Sequence, residues 1–227
     1  MFHVEQIGLL KKALEDRGIP FQERTILNFE KYQKLILEWN SRVNLISKRD
    51  EERLITRHFL SSLGLVTVVN IGERSRVLDL GSGGGFPGIP LKLLRPDLEV
   101  FLVESKRKKG NFLNEVIGSL DLEGIEVVVD RAENIENKIE PVDFVVSRAV
   151  TNLSDLSRWS RGLLKREEGR LVAFKGMNLK KELEMLKKRA SKLRVKGWRV
   201  SRYDPFPSVF NLKESYIVEV FFYRELL

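Results

Sequence analysis

An aspartate, a run of glycines and a glutamate are the residues of this sequence whose types and spacing point most directly to chemistry. Residues 76–104 read RVLDLGSGGGFPGIPLKLLRPDLEVFLVE. Val77 to Leu80 is a short apolar run of the kind that forms a buried strand. It breaks into Gly81-Ser82-Gly83-Gly84-Gly85, and a second apolar run, Val100 to Val103, ends in Glu104. Strand, glycine turn, helix, strand and acid in this order form a site for an adenine nucleoside on a doubly wound sheet. Glycines let the backbone pass close to a ligand. An acid at the tip of the second strand can accept hydrogen bonds from both ribose hydroxyls.

Two cofactor classes use this layout, the dinucleotides and S-adenosylmethionine. Gly83, Gly85 and Gly88 match a GxGxxG fingerprint, with Glu104 roughly 20 residues on. Counted from Gly81, the first glycine after the strand, the third fingerprint position is Phe86. Asp79 is expected inside the turn, where it would attract a cationic methionyl amine and repel a pyrophosphate. These details favour S-adenosylmethionine over NAD or FAD.

The elements that must position these groups follow from periodicity. The pattern predicts helices over 4–17 and 26–40, the second with Phe29, Tyr32, Ile36 and Trp39 on one face. Shorter helices are expected at 50–56 and 59–69. Strands are predicted at 76–80, 99–104, 125–129, 142–147 and 169–174, with helices between them and a longer helix over 177–195. Residues 197–203 and 215–223 read as two strands with no helix between, which implies an antiparallel hairpin closing the sheet. The fold class is therefore α/β: a Rossmann-like, S-adenosylmethionine-dependent methyltransferase with a seven-stranded sheet and one antiparallel strand. Residues 1–72 are expected to form an N-terminal helical appendage packed on the core, and residues 73–227 the methyltransferase domain.

Composition narrows the setting. The 227 residues include no cysteine and two histidines, which argues against disulfides, a cysteine nucleophile and a zinc site. A reducing cytoplasm is the simplest home, and no apolar run is long enough for a transmembrane helix. The net charge of +8 favours an anionic partner such as RNA. Basic groups occur at Lys106 to Lys109, at Arg158 to Arg166 and from Lys180 to Arg199. The first is expected to matter most, because it lies at the C-terminal edge of the sheet, where ligands bind.

Five segments together resemble one family. They are WNSRVNLIS at 39–47, RHFLSSL at 57–63, DLGSGGGFPGIPL at 79–91, RAENI at 131–135 and SRAV at 147–150. The chain resembles the bacterial glucose-inhibited division protein B family, which are small-subunit ribosomal RNA guanine-N7 methyltransferases. That family usually carries HxxDSL in the second segment, and here Ser61 replaces the acid. The resemblance implies cofactor contacts at Gly81, Gly83 and Phe86 in the glycine loop, at Glu104, at Ala132 and Glu133 in RAENI, and at Arg148 in SRAV. It implies S-adenosylmethionine as cofactor and S-adenosylhomocysteine as product. It also implies small-subunit (16S) ribosomal RNA, or the small subunit itself, as partner; the chain is expected to act as a monomer.

The fourth-strand exit, SRAV, differs from the NPPY-like turn common among enzymes that methylate exocyclic amines. Methylation of pyrimidine C5 needs a cysteine, and none occurs. Ribose 2′-hydroxyl methylation stays open through Lys175, at the end of the fifth strand. Guanine N7 carries a free lone pair and needs no general base. Phe86 and Trp159 are candidates to stack on a target base, and His58 is expected to be a structural or RNA-contacting side chain.

Overall fold

In the computed structural model, residues 2–165, 168–207, 209 and 215–223 are described. The chain opens with helices α1 (Phe2–Asp16) and α2 (Glu23–Asn40). Helix α2 buries Phe29, Tyr32 and Ile36 at three- and four-residue spacing as an apolar stripe, with the polar Gln33 buried beside them. Asn40 ends it: its side-chain carbonyl accepts the N–H groups of Leu45 and Ile46 at 2.9 and 3.0 Å, which turns the chain back toward the sheet.

The next segment differs from expectation. In place of two short α-helices the chain makes a 3-10 turn (Lys48–Arg53), a π-helical turn (Ile55–Leu60), the brief α3 (Ser61–Leu63) and a second 3-10 turn (Gly64–Thr67). The segment buries Leu54, Ile55, Phe59, Leu60, Leu63 and Leu65, a set too dense for one helical stripe. Changes of helical pitch turn all of them inward.

From here strands and helices alternate: β1 (Arg76–Leu80), α4 (Gly88–Leu94), β2 (Glu99–Val103), α5 (Arg107–Ser119), β3 (Ile125–Val128), β4 (Phe144–Arg148), α6 (Leu153–Ser160), β5 (Arg170–Lys175), α7 (Leu179–Arg189), β6 (Val195–Arg202) and β7 (Tyr216–Phe222). They build one seven-stranded sheet in the order β3-β2-β1-β4-β5-β7-β6. The strands from β3 to β5 are parallel, and β7 pairs antiparallel to both β5 and β6. The expected single reversed strand is thus β7. Order reverses between β1 and β4, so a ligand crevice is expected outside the C-terminal ends of these strands.

Side chains alternate across the sheet. Val77, Val100, Leu102, Val146 and Val172 join a cluster with α1, α2, α4 and α5. Leu78, Leu80, Val145, Leu171 and Val218 join a second with α6 and α7. Residues of α1, α2 and the 48–67 segment share the first cluster with the sheet, so they bear directly on the floor of the crevice. Among the described residues no helix is long and apolar enough to cross a membrane.

Candidate functional site

Asp79 lies on β1, two residues after Val77, and therefore points to the same side of the sheet, toward α4. It is fully buried, not placed in the turn as the sequence led one to expect. Its Oδ2 accepts the N–H of Gly88, at the start of α4, at 2.9 Å. Its Oδ1 has no partner among the described residues. Burial pushes this carboxyl up to about 7, with the Gly88 hydrogen bond opposing the rise. A Cβ at position 88 would stand 2.9 Å from Oδ2 and 2.4 Å from Leu102, so only glycine lets helix and strand approach this closely.

The loop between β1 and α4 is held from three sides. The N–H groups of Gly81 and Ser82 donate to the Val103 carbonyl at 2.9 and 3.0 Å. The hydroxyl of Tyr32, on α2, donates to the Gly84 carbonyl from below. Gly83, at φ +57°, donates its N–H to Glu104 Oε2 at 3.0 Å. A Cβ at Gly83 would meet no atom closer than 3.9 Å, one of these being Lys109 Nζ, so the loop presents an open backbone surface there. Tyr32 read as core in the sequence. The signal for its role was a hydroxyl on an otherwise apolar stripe, because a buried tyrosine needs a partner.

Glu104 follows β2 and is 7% exposed. Besides Gly83 it accepts the N–H of Lys106, at 2.8 Å from Oε1. Each carboxylate oxygen has capacity for a further donor. The two backbone bonds fix the carboxylate at the C-terminal edge of β1 and β2, in the position the sequence assigned to a ribose acceptor.

Arg148 is the last residue of β4, paired in register with Phe174 of β5, and so sits inside the strand, not beyond it. Its Nη2 donates to the Arg57 carbonyl in the π-helical turn, and its Nη1 is buried without a partner among the described residues. Next to it His58 packs tilted against Phe86, with ring centroids 4.7 Å apart, and lies 3.8 Å from Asp50. Burial, reinforced by the charge of Arg148, drives the His58 imidazole down to about 3, so it is neutral at physiological pH.

The other assigned positions divide. Phe86 is 6% exposed and packs on Tyr32, Phe59 and His58, so it supports the loop and has no free face for a base. Ala132 and Glu133 form a 3-10 turn after β3, at the same edge of the sheet as Glu104. They also border a groove of about 1300 Å³ that runs past Trp159 and Trp198, away from the glycine loop. Trp159 belongs to that groove and not to the crevice. Lys175 is tied down: its Nζ lies 2.8 Å from Glu182 and 2.5 Å from the Thr151 carbonyl.

Three features gather at the switch point: a buried carboxylate oxygen with no donor among the described residues, a glutamate with spare acceptor capacity, and a buried guanidinium N–H group with no acceptor among the described residues. S-adenosylmethionine fits this set. Its ribose hydroxyls could donate to Glu104, its methionyl ammonium matches the charge of Asp79, and its carboxylate matches the charge of Arg148. A pyrophosphate does not fit beside Asp79.

Comparison with known proteins agrees. The family profile described as rRNA small subunit methyltransferase G matches residues 25–204. Among curated relatives, the ribosomal RNA small subunit methyltransferase G of Clostridium botulinum (strain 657 / Type Ba4) is 36% identical over 183 residues, covering 79% of this chain and 76% of its own. That of Desulforamulus reducens is 39% identical over 178 residues, covering 77% and 74%. Among solved structures, M. jannaschii TYW2 in complex with AdoMet aligns with a TM-score of 0.57 at 17% identity, over 82% of this chain and 80% of its own. Aeropyrum pernix fibrillarin with natively bound S-adenosyl-L-methionine aligns at 0.53 and 17%, over 71% and 73%. At such identities the two structures speak for the fold.

Proposed function

We propose that this chain, which belongs to the rRNA small subunit methyltransferase G family, methylates N7 of a guanosine in small-subunit ribosomal RNA. S-adenosylmethionine, when bound, supplies an electrophilic methyl group on a sulfonium. The protein's part is to hold two reactants in line and keep water out. Glu104 binds the ribose, Asp79 the methionyl amine and Arg148 the methionyl carboxylate, while Gly81, Gly83, Ala132 and Glu133 line the cofactor's path along the sheet edge. The partner is small-subunit rRNA or the small subunit, met in the cytoplasm by a monomer.

The position of Lys175 carries the choice of N7. A 2′-hydroxyl must lose a proton, and Lys175 is the base the sequence left open for it. Its ammonium is paired with Glu182 and the Thr151 carbonyl, 8% exposed, and is not free to take that proton. His58, buried and neutral, is 3.8 Å from Asp50 and packed against Phe86. Neither is arranged as a base, and guanine N7, with its free lone pair, needs none. In an A-form duplex N7 lies in a deep, narrow groove, so the target guanosine belongs to a loop or a distorted segment.

Labelled methyl transfer to small subunits, followed by mapping of the modified base, tests this reading. Single-turnover rates at saturating cofactor should be flat between about pH 6 and 9, because no essential base titrates. A 2′-O-methyl product, or a rate that climbs with pH and loses the climb in Lys175→Gln, would replace N7 with the hydroxyl. Glu104→Ala should weaken S-adenosylhomocysteine binding by about 1–3 kcal/mol, since it leaves buried donors unpaired. Titration calorimetry on the folded variant checks this, and unchanged affinity would remove Glu104 from the site.

A further inference from the structure

The positive charge of this chain has one address. Between Leu179 and Arg202, the span of α7 and β6, lie ten of the 40 lysines and arginines and two of the 32 acids, so this span carries +8, the net charge of the whole chain. The rest of the sequence balances, thirty bases against thirty acids. An ordinary solvated surface intersperses both signs. This one does not, and the structure widens the imbalance. Of the two acids, Glu182 is turned inward. It pairs with Lys175 and accepts the N–H of Leu153 at 2.9 Å, so it neutralises nothing on the outer face. Only Glu184 remains there.

The cations themselves are exposed. Lys180, Lys181, Lys187, Lys188, Arg189 and Lys192 lie on the solvent side of α7 and its C-terminal extension, while Leu179 and Leu186 anchor its inner side. None of these six is in an ion pair among the described residues. Strand β6, at the edge of the sheet beside them, adds exposed Lys196 and Arg202. Arg199 points to the other face and is held by Glu219 at 3.4 Å. The Lys106 to Lys109 group, by contrast, lies beside the glycine loop, with Lys109 Nζ near Gly83.

The flank also leads to the crevice. Helix α7 starts just after the C-terminal end of β5. Strand β6 runs parallel to β5 and ends at Arg202 on the same edge of the sheet. The next residue, Tyr203, donates its hydroxyl to the Ser61 carbonyl and sets its ring edge-on to Phe174, the register partner of Arg148. A polyanion lying on α7 and β6 is thereby directed to the site.

We infer that the α7–β6 flank is the docking surface for the phosphate backbone of the ribosomal RNA next to the target guanosine. The inference rests on the rRNA substrate proposed above. It assigns RNA affinity to this flank and not to the Lys106 group. The test uses the full chain and an in vitro transcript of small-subunit rRNA, with binding measured across a salt series in the absence of cofactor. In K187Q/K188Q/R189Q/K192Q the log–log salt slope should flatten by about 0.7–0.9 for each phosphate contact removed. The KM for rRNA should rise about tenfold or more, with kcat and S-adenosylhomocysteine affinity unchanged. K106Q/R107Q/K108Q should leave the slope near that of the unmodified protein. Retained cofactor binding shows that each variant is folded, and K180Q/K181Q/K196Q/R202Q gives an independent second set. Unchanged slope and KM in both flank variants would overturn the inference. Because binding is read without methyl transfer, failure to methylate rRNA would sink the proposed reaction and leave the docking result standing.

Discussion

Arg148→Lys should lower the single-turnover rate of methyl transfer by about 100-fold, with the pH profile remaining flat. The guanidinium bridges two parts of the fold, the end of β4 and the π-helical turn. It belongs to the last position of β4, and its Nη2 reaches the Arg57 carbonyl in the π-helical turn. Its Nη1 stays buried, free of any described partner, and is available to a carboxylate. A lysine keeps one positive charge but loses the planar fork that serves both directions at once. Either the link to Arg57 or the contact to the ligand is lost, and the reacting atoms are no longer held in line. A guanidinium does not release a proton at these pH values, so the loss is one of positioning. A rate defect that recovered at high pH would show proton transfer through this position and would sink the assignment. Binding of S-adenosylhomocysteine by the same variant separates the two ways of failing. Weakened binding places Nη1 on the cofactor, whereas intact binding with a slow rate places it on the target base.

Much of this architecture was legible in the sequence, and the parts that were not have physical causes. Strands β1 and β2 announced themselves because a parallel sheet buried on both faces demands continuous apolar runs. The hairpin of β6 and β7 was legible from the missing helix between two strands. The 48–67 segment was not, because a π-turn and two 3-10 turns break the 3.6-residue period on which such readings rest. Tyr32 looked like core and is core, yet its hydroxyl holds the Gly84 carbonyl. A contact between residues 52 positions apart leaves no local trace. Phe86 and Trp159 were reasonable stacking groups by residue type, but one is sealed by Tyr32, Phe59 and His58 and the other lies along a different groove. Charge was visible as counts and not as direction. The inward turn of Glu182, which leaves α7 so one-sided, depends on Lys175 and on the N-terminus of α6.

Asp79→Ala should weaken cofactor binding by about 3–5 kcal/mol, the scale for removing one partner of a buried charge pair, and Asp79→Asn should remove a pH dependence that the unaltered protein shows. The Asp79 carboxyl is fully buried and raised to about 7, burial being the main cause. Below that pH it is neutral in the free protein and offers no charge to an ammonium. Above it the carboxylate is formed. The kcat/KM for S-adenosylmethionine, which reports groups of the free enzyme, should therefore rise about tenfold between pH 6 and 8, while kcat stays flat. Stability runs the other way. In the unfolded chain this carboxyl titrates near about 3.9, so the fold favours its protonated form. The resulting contribution is complete below that value and is lost as pH rises through 7. His58 opposes it at acid pH: held near 3 in the fold, it contributes stability above its ordinary value and loses it as pH falls toward 3. Thermal unfolding of the cofactor-free protein should thus show a midpoint that falls from pH 6 to 8, and Asp79→Asn should flatten that fall. Binding of the cationic cofactor should flatten it too, because an ammonium beside Oδ1 pulls the carboxyl back down. Equal pH dependence with and without cofactor would mean that Oδ1 meets no charge when the site is filled, and the amine would then need another partner.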